Sequence, residues 1–440
     1  MSKEINEQNI SQLKNPAFAK YAQIYIDIYH NFIEQIQTTG MEFDENLQEE
    51  TLEKLARIRE KKALFRNSDK SIVTNWISSA CEACQKGVGT VTMYTSLMCH
   101  RNCYFCFNPN QEDYEYYSKH TRNLPEELEE AFKYNHKITH LALTGGEPLL
   151  HKKEMIEFFK LTKEKSPKTH TRLYTSGDFL DEDILQELKD AGLDEIRFSI
   201  KMEDPEEIKN EVYERIALSK KFIPDVMVEM PVLPGSFEEM REVLLQLDSI
   251  GIAGINLLEF CFPFNNAEEF SKRGYKIKNP PFQVLYNYWY AGGLPISRSE
   301  LECLNLVEFA LDNKLKLGVH YCSLENKHTG QIYQQNYGQK VSPMMYFSPR
   351  DYFFKSAKVF GEDIDKVKKV FKKKNITQFQ INSDYDYLEF PVTQIKLLKK
   401  LDIEIGLSSN VMEQREDGKY LRELKLDLVY PKDFNLREDI

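Results

Sequence analysis

Apolar positions change their period partway along the chain. Over 17–37, Phe18, Tyr21, Ile24, Tyr25, Ile28 and Phe32 recur near helical spacing, and 49–65 repeats the habit more weakly. Residues 1–75 therefore read as a helical segment that packs rather than reacts, because aromatic stripes of this kind usually lie in a core. From Thr90 the period falls to two: Thr90-Val91-Thr92-Met93-Tyr94-Thr95-Ser96-Leu97 reads as a strand running into a loop. The pattern then predicts a helix over 125–133, with proline in its first turn, and strands over 139–144, 170–175, 195–200, 225–230 and 254–259. Helices over 153–164, 181–192, 205–221 and 237–248 separate these strands; Asp181 caps the second of them and Gly192 closes it.

Six alternations of strand and helix specify parallel strands joined by right-handed helical crossovers. Such architectures bind ligands at the C-terminal ends of their strands. That rule selects Thr175, Ser176, Ser199, Lys201 and Glu229 as pocket-facing candidates, with Glu259 at the end of the sixth strand. Residues 263–345 leave the repeat, with a helix over 300–313 and a strand over 316–323. From 346 onward the pattern predicts a small α+β appendage: helices on either side of Gly361, a helix over 391–400, and strands near 377–382, 403–407 and 421–430. Four segments are thus expected, over 1–75, 76–262, 263–345 and 346–440. The lysine-rich run from Lys366 to Lys374 reads as a solvated helix face, with docking of an acidic peptide or RNA as the alternative.

Composition narrows the class. With 440 residues, 41% hydrophobic and 12% aromatic, the chain can bury a large core over two or three domains. A net charge of -11 disfavours a nucleic-acid partner, which needs a dense positive face. The polar amino terminus lacks the apolar core of a signal peptide, and no apolar run approaches the roughly 20 residues that span a bilayer. Eight cysteines are too sparse for a disulfide scaffold, so a cytoplasmic setting and metal ligation are expected.

Three of those cysteines, Cys99, Cys103 and Cys106, lie within eight residues directly after the first strand. Thiolates at such spacing form one ligand nest, and three of them leave one iron of a 4Fe-4S cube open to a substrate or cofactor. Farther on, the strand Leu141-Ala142-Leu143-Thr144 ends in Gly145-Gly146-Glu147-Pro148, where glycines allow close backbone approach and a carboxylate can meet an ammonium.

This pairing of motifs, with Phe105 just before the last cysteine, resembles the radical S-adenosylmethionine (radical SAM) superfamily. The resemblance implies an α/β fold built on a partial (β/α)6 barrel, here with a helical amino-terminal segment and the α+β appendage. It also implies a 4Fe-4S cluster on Cys99, Cys103 and Cys106, and S-adenosylmethionine bound on the open iron and cleaved to a 5′-deoxyadenosyl radical. By the same resemblance Phe105, Gly145, Gly146, Glu147, Ser176 and Ser199 contact the cofactor, residues 254–259 flank its adenine, and a flavodoxin or ferredoxin supplies a low-potential electron.

Cys81 and Cys84 remain. With Cys103 and Cys106 they make two Cys-x-x-Cys pairs at zinc-ribbon separation, but a ribbon leaves Cys99 spare and gives the Gly-Gly-Glu-Pro run no task. Their better partners are His320 and Cys322, which share one face of a strand. A Cys-x-x-Cys before the first strand with a later His-Tyr-Cys-Ser also resembles a radical SAM group related to pyruvate formate-lyase activating enzymes. A second site there would hold zinc or an auxiliary cluster, and Cys322 is expected to reach Cys81 and Cys84 only if its strand runs antiparallel to the first. Cys261, near the expected barrel mouth, reads as a core thiol between phenylalanines, with a substrate-side thiol or radical relay as the alternative, and Cys303 reads as structural. Three functions stay open: an enzyme modifying a peptide or small molecule, an activase for a glycyl radical enzyme, and a non-catalytic zinc module. The terminal segments are large enough to close the barrel's open side over a peptide or protein substrate.

Overall fold

The computed structural model describes residues 2–134, 137–284 and 293–440, which fall into two compact units. Of the described residues, the larger holds 41–281 and 293–328, and the smaller joins 2–40 and 282–284 to 329–440. The segment expected to be an amino-terminal layer is thus shared between the two, and residues 285–292 of the expected extension lie outside the described residues.

The larger unit is built on one nine-stranded sheet. Thr90–Tyr94, His140–Thr144, His170–Thr175, Glu195–Phe198, Asp225–Val232 and Gly254–Glu259 pair in chain order and in parallel, as the alternation predicts. On their outer faces Leu141, Leu143, Leu173, Ile196, Phe198, Val226, Val228, Ile255 and Leu257 join one core with the crossover helices. Alternate positions face inward, and several are charged: Arg172, Glu195, Arg197 and Glu229.

Two expectations are corrected at one edge of this sheet. Gly318–Cys322 does not leave the barrel; it extends the sheet in parallel beside Gly254–Glu259, with His320 opposite Asn256. Outside it, Ser71–Thr74 and Leu64–Arg66 run antiparallel where helix was expected. Asn67, Ser68 and Asp69, all with positive φ, turn the chain between these two strands, and the partner that stabilises them lies in 318–322, invisible to local periodicity.

The smaller unit is an antiparallel sheet centred on Phe354–Phe360, which pairs with Ile405–Arg415 on one side and Tyr387–Phe390 on the other. A helix was expected before Gly361, but every residue of Phe354–Phe360 is buried and the strand is laddered along both its edges, so the strand wins. Ile405–Arg415 and Gly418–Val429 form a long hairpin, 391–400 tightens to the 3-10 helix Val392–Leu398, and the strand near 377–382 shortens to Gln380–Asn382. Asp363–Lys373 turns Val367 and Phe371 inward and its lysines outward, as a solvated face requires. The helix Pro16–Gln37 belongs to this unit: Phe18 is fully buried and stacks on Phe360 at 4.7 Å.

Candidate cluster and cofactor site

The cysteine loop hangs from the C-terminal end of the first parallel strand. Cys99 is exposed, Cys103 and Cys106 are half-buried, and the backbone N–H of Arg101 already points at the Cys99 sulfur at 3.4 Å. Cys99 lies within electrostatic reach of both Cys103 and Cys106. Phe105 packs edge-on against Tyr104 and Phe260, and the Lys201 ammonium sits 5.6 Å from its ring centroid while reaching Ser199 Oγ at 2.9 Å.

The glycine loop is laced to the same segment. Gly146 N donates to Ser96 O at 3.0 Å, Glu147 N donates to Met98 O at 2.7 Å, and Asn108 Nδ2 donates to Gly145 O at 2.8 Å. A Cβ on Gly146 would stand 1.7 Å from Met98 O, so only glycine permits this approach. Gly145 adds a φ of +113°, which L side chains avoid.

Glu147 is buried, and its carboxylate is taken up within the protein. Thr175 Oγ1 donates to it at 2.7 Å, Ser176 donates through N and Oγ at 2.8 and 2.7 Å, and Leu149 N donates at 3.2 Å. Thr175 and Ser176 are therefore joined to Glu147, and the ends of the second and third strands become one unit. Ser199 follows the fourth strand and lines a cavity of about 140 Å³ together with Cys103, Phe105, Lys201, Asp204 and Met230.

A clamp that sequence reasoning missed fixes the cysteine loop from outside. Arg101 Nε and Nη2 donate to Asp178 at 2.7 and 2.8 Å, and Nη1 donates to both oxygens of Asp204 at 2.9 and 2.8 Å. His100 Nε2 lies 2.5 Å from the same Asp178. Burial alone would raise the Asp178 carboxyl, but hydrogen bonds from Arg101, His100 and Ser176 outweigh it and hold the group at about 2. An arginine inside the cysteine run was the one sequence signal for this clamp; its acceptors follow two different strands.

Deeper in the bowl is a second charged group. Ser78 Oγ and Arg197 Nε both donate to Glu195 at 2.5 Å, Arg197 Nη1 pairs with Glu229, and Asn256 Nδ2 donates to Glu229 at 2.7 Å. Glu229, expected to face the pocket, is thus engaged within the bowl. Burial opposes Glu195 ionising, yet Arg197, His170 and Ser78 hold it down at about 2. Charged residues at every second position of apolar strands were the available signal. Glu259 accepts from Lys278 at 3.2 Å and from Leu324 N at 2.7 Å, while Cys261 and Cys303 are buried.

The short helix Ser79–Cys84 enters this bowl, with Arg197 Nη2 donating to Cys81 Sγ at 3.4 Å. Cys81 and Cys84 both lie within electrostatic reach of Cys322. Gly318–Cys322 runs parallel to its neighbour, not antiparallel, and Cys81 enters the bowl on its short helix, where Arg197 holds it. Among the described residues, no three His, Cys, Asp or Glu side chains already converge on the spacing of a single bound ion, Cys99, Cys103 and Cys106 included.

Residues 93–247 match the family model of the Radical SAM superfamily. The chain carries a radical SAM domain. A Methanocaldococcus jannaschii protein, described provisionally as a glycyl-radical enzyme activating enzyme, is 31% identical over 216 residues, covering 46% of this chain and 55% of that protein. The GTP 3′,8-cyclase of Aquifex aeolicus is 34% identical over 126 residues, or 28% of this chain and 38% of the relative. The chain therefore spans about half or less of the curated relatives it matches. Among solved structures, Streptococcus suis SuiB bound to its precursor peptide SuiA aligns over 68% of this chain and 58% of that one, at 15% identity and a TM-score of 0.38. The residues of the radical SAM domain fit the cluster its family holds: three thiols on one loop, a backbone N–H already directed at a sulfur, and a glycine loop with no room for a side chain beside them. Among the described residues no helix is long and apolar enough to cross a membrane.

Proposed function

We propose that the protein is a radical SAM enzyme with Cys99, Cys103 and Cys106 as the cluster ligands. One observation carries this reading: the cysteine loop and the Gly145-Gly146-Glu147 loop are bonded to each other at the C-terminal ends of parallel strands, where such folds bind ligands. When bound, a 4Fe-4S cluster with one open iron and S-adenosylmethionine supply a 5′-deoxyadenosyl radical that removes hydrogen from a substrate.

The chain's own residues position and enclose. Arg101 holds the cysteine loop against Asp178 and Asp204, so the thiols keep one attitude toward the cavity. Gly145 and Gly146 bring main chain up to the cofactor, and Glu147 fixes that main chain through Thr175 and Ser176. Ser199 and Lys201 present polar groups along the cavity, and Phe105, backed by Phe260, gives it an apolar wall together with Met230 and Leu233. A radical abstracts hydrogen indiscriminately, so selectivity rests on this placement.

The substrate class follows the M. jannaschii relative, whose name supports a protein substrate, a glycyl radical enzyme to be activated; the electron would come from a flavodoxin or ferredoxin, as the radical SAM resemblance implies. Anaerobic protein incubated with S-adenosylmethionine and a strong reductant should release 5′-deoxyadenosine, and Cys99→Ala, Cys103→Ala and Cys106→Ala should each abolish it together with the iron and sulfide. Zinc in place of iron, or iron without cleavage, would overturn the reading.

A further inference from the structure

Three buried residues outside the cluster loop, Cys81, His320 and Cys322, have surroundings that thiols and imidazoles do not ordinarily need, and exposed Cys84 follows Cys81 by one helical turn. Cys81 receives hydrogen bonds from Arg197 Nη2 at 3.4 Å and from Asn256 Nδ2 at 3.7 Å. Cys322 receives one from Asn326 Nδ2 at 3.3 Å, and that amide is held in place because Asn67 Nδ2 donates to its Oδ1 at 2.7 Å. Neutral thiols are weak acceptors and seldom attract three amide or guanidinium donors; metal-bound thiolates are commonly supported in this way.

His320 adds an independent sign. It is 3% exposed, its Nε2 lies 2.9 Å from Ser71 Oγ, and its Nδ1 has no hydrogen-bond partner. A buried ring nitrogen left empty costs free energy unless something occupies its lone pair. The tautomer in which Nε2 donates to Ser71 leaves Nδ1 with that lone pair, the arrangement found when a neighbouring hydrogen-bonding group orients a metal-binding histidine. His320 and Cys322 occupy the same face of the strand Gly318–Cys322, and Cys81 and Cys84 lie one helical turn apart.

Charge points the same way. Arg66, Arg172, Arg197 and Lys327 bear on this part of the bowl against the carboxylates of Glu195 and Glu229. Lys327 lies within electrostatic reach of both Cys322 and Cys84. Arg197 and Lys327 are thus placed to offset thiolate charge at Cys81, Cys84 and Cys322. Three thiolates and one neutral imidazole around a divalent ion bring one net negative charge to it.

We propose that Cys81, Cys84, His320 and Cys322 bind one zinc ion in the bowl, separate from the cluster on Cys99, Cys103 and Cys106. A closed set of three thiolates and one imidazole is a structural tetrahedral site, and it pins the Ser79–Cys84 helix to the last parallel strand. Binding turns the side chains inward from their present spacing and releases the thiol protons.

The test uses full-length protein with Cys99, Cys103 and Cys106 all changed to Ala, so that iron at the first site cannot mask the second. About one zinc per chain should remain, and cobalt exchanged for it should give the visible bands of a tetrahedral ion and thiolate charge-transfer absorption. Cys84→Ser or Cys322→Ser should remove the metal, and Asn326→Ala should weaken zinc binding about 10- to 100-fold. If the triple variant folds poorly, zinc-edge absorption on the unaltered protein gives the same answer, three sulfurs and one nitrogen at about 2.3 and 2.0 Å. Only trace zinc, iron and sulfide in its place, or zinc indifferent to Cys84 and Cys322, would overturn the assignment.

Discussion

Arg101, within the run of cluster cysteines, holds Asp178 by two parallel hydrogen bonds of 2.7 and 2.8 Å and uses its remaining nitrogen on Asp204. One guanidinium thereby joins the cysteine loop to the loops after the third and fourth parallel strands. The planar fork makes that connection, and an ammonium has no equivalent geometry. Arg101→Lys should therefore slow 5′-deoxyadenosine formation about 10- to 100-fold while most of the iron is retained. Single-turnover assays on protein of measured iron content check this, and an unchanged rate would remove Arg101 from the positioning machinery.

Gly146 allows a sharp comparison with Gly235. A methyl at Gly146 would meet Met98 O at 1.7 Å, whereas one at Gly235 meets nothing within 4 Å and encounters only the strain of a φ of +84°. Gly235→Ala should cost about 1 kcal/mol and leave the site alone. Gly146→Ala should push the glycine loop off the cysteine loop and prevent cluster assembly, seen as lost iron and sulfide in protein that still folds.

Glu195 is buried with Arg197 against it, so its removal leaves a guanidinium with one carboxylate fewer. Glu195→Ala should destabilise the larger unit by about 3–5 kcal/mol in chemical denaturation. The pH dependence has a definite sign. The folded carboxyl sits at about 2 against an ordinary value of 4.5, so its contribution is complete above pH 4.5 and is lost as pH falls through about 2. The gap between the parent and Glu195→Ala should close over that window, and a gap that persists at its acidic end would show that Glu195 acts through packing.

In the smaller unit, Phe18 lies flat on Phe360 with no exposure, although the two are far apart in sequence. Phe18→Ala should cost about 3–5 kcal/mol. Lys3–Glu4 also pairs with the Gly418–Val429 strand, so deletion of residues 1–40 should leave the sheet prone to aggregation. Light scattering on the truncated protein checks this.

The parallel strands were legible because each is a short apolar run bounded by turn residues, with a periodic helix following. The cysteine and glycine motifs were legible because each is local in sequence. What escaped depends on distant partners. Phe354–Phe360 reads as helix until its distant ladder partners, Tyr387–Phe390 and Ile405–Arg415, and the Glu423 carboxylate paired with Lys358 are in place. Ser71–Thr74 is a strand only because Gly318–Cys322 arrives beside it. The Arg101 clamp needs two loops whose aspartates carry no motif.

That late pairing has a consequence for the living cell. Cys106 leaves the ribosome about 200 residues before Cys322, some 10–40 s at ordinary elongation rates. Throughout that interval the nascent bowl lacks its last parallel strand, and its thiols stand open to oxidants and stray metal. The zinc site proposed on Cys81, Cys84, His320 and Cys322 can therefore close only after the cluster cysteines have long been exposed, which orders the two metals in time.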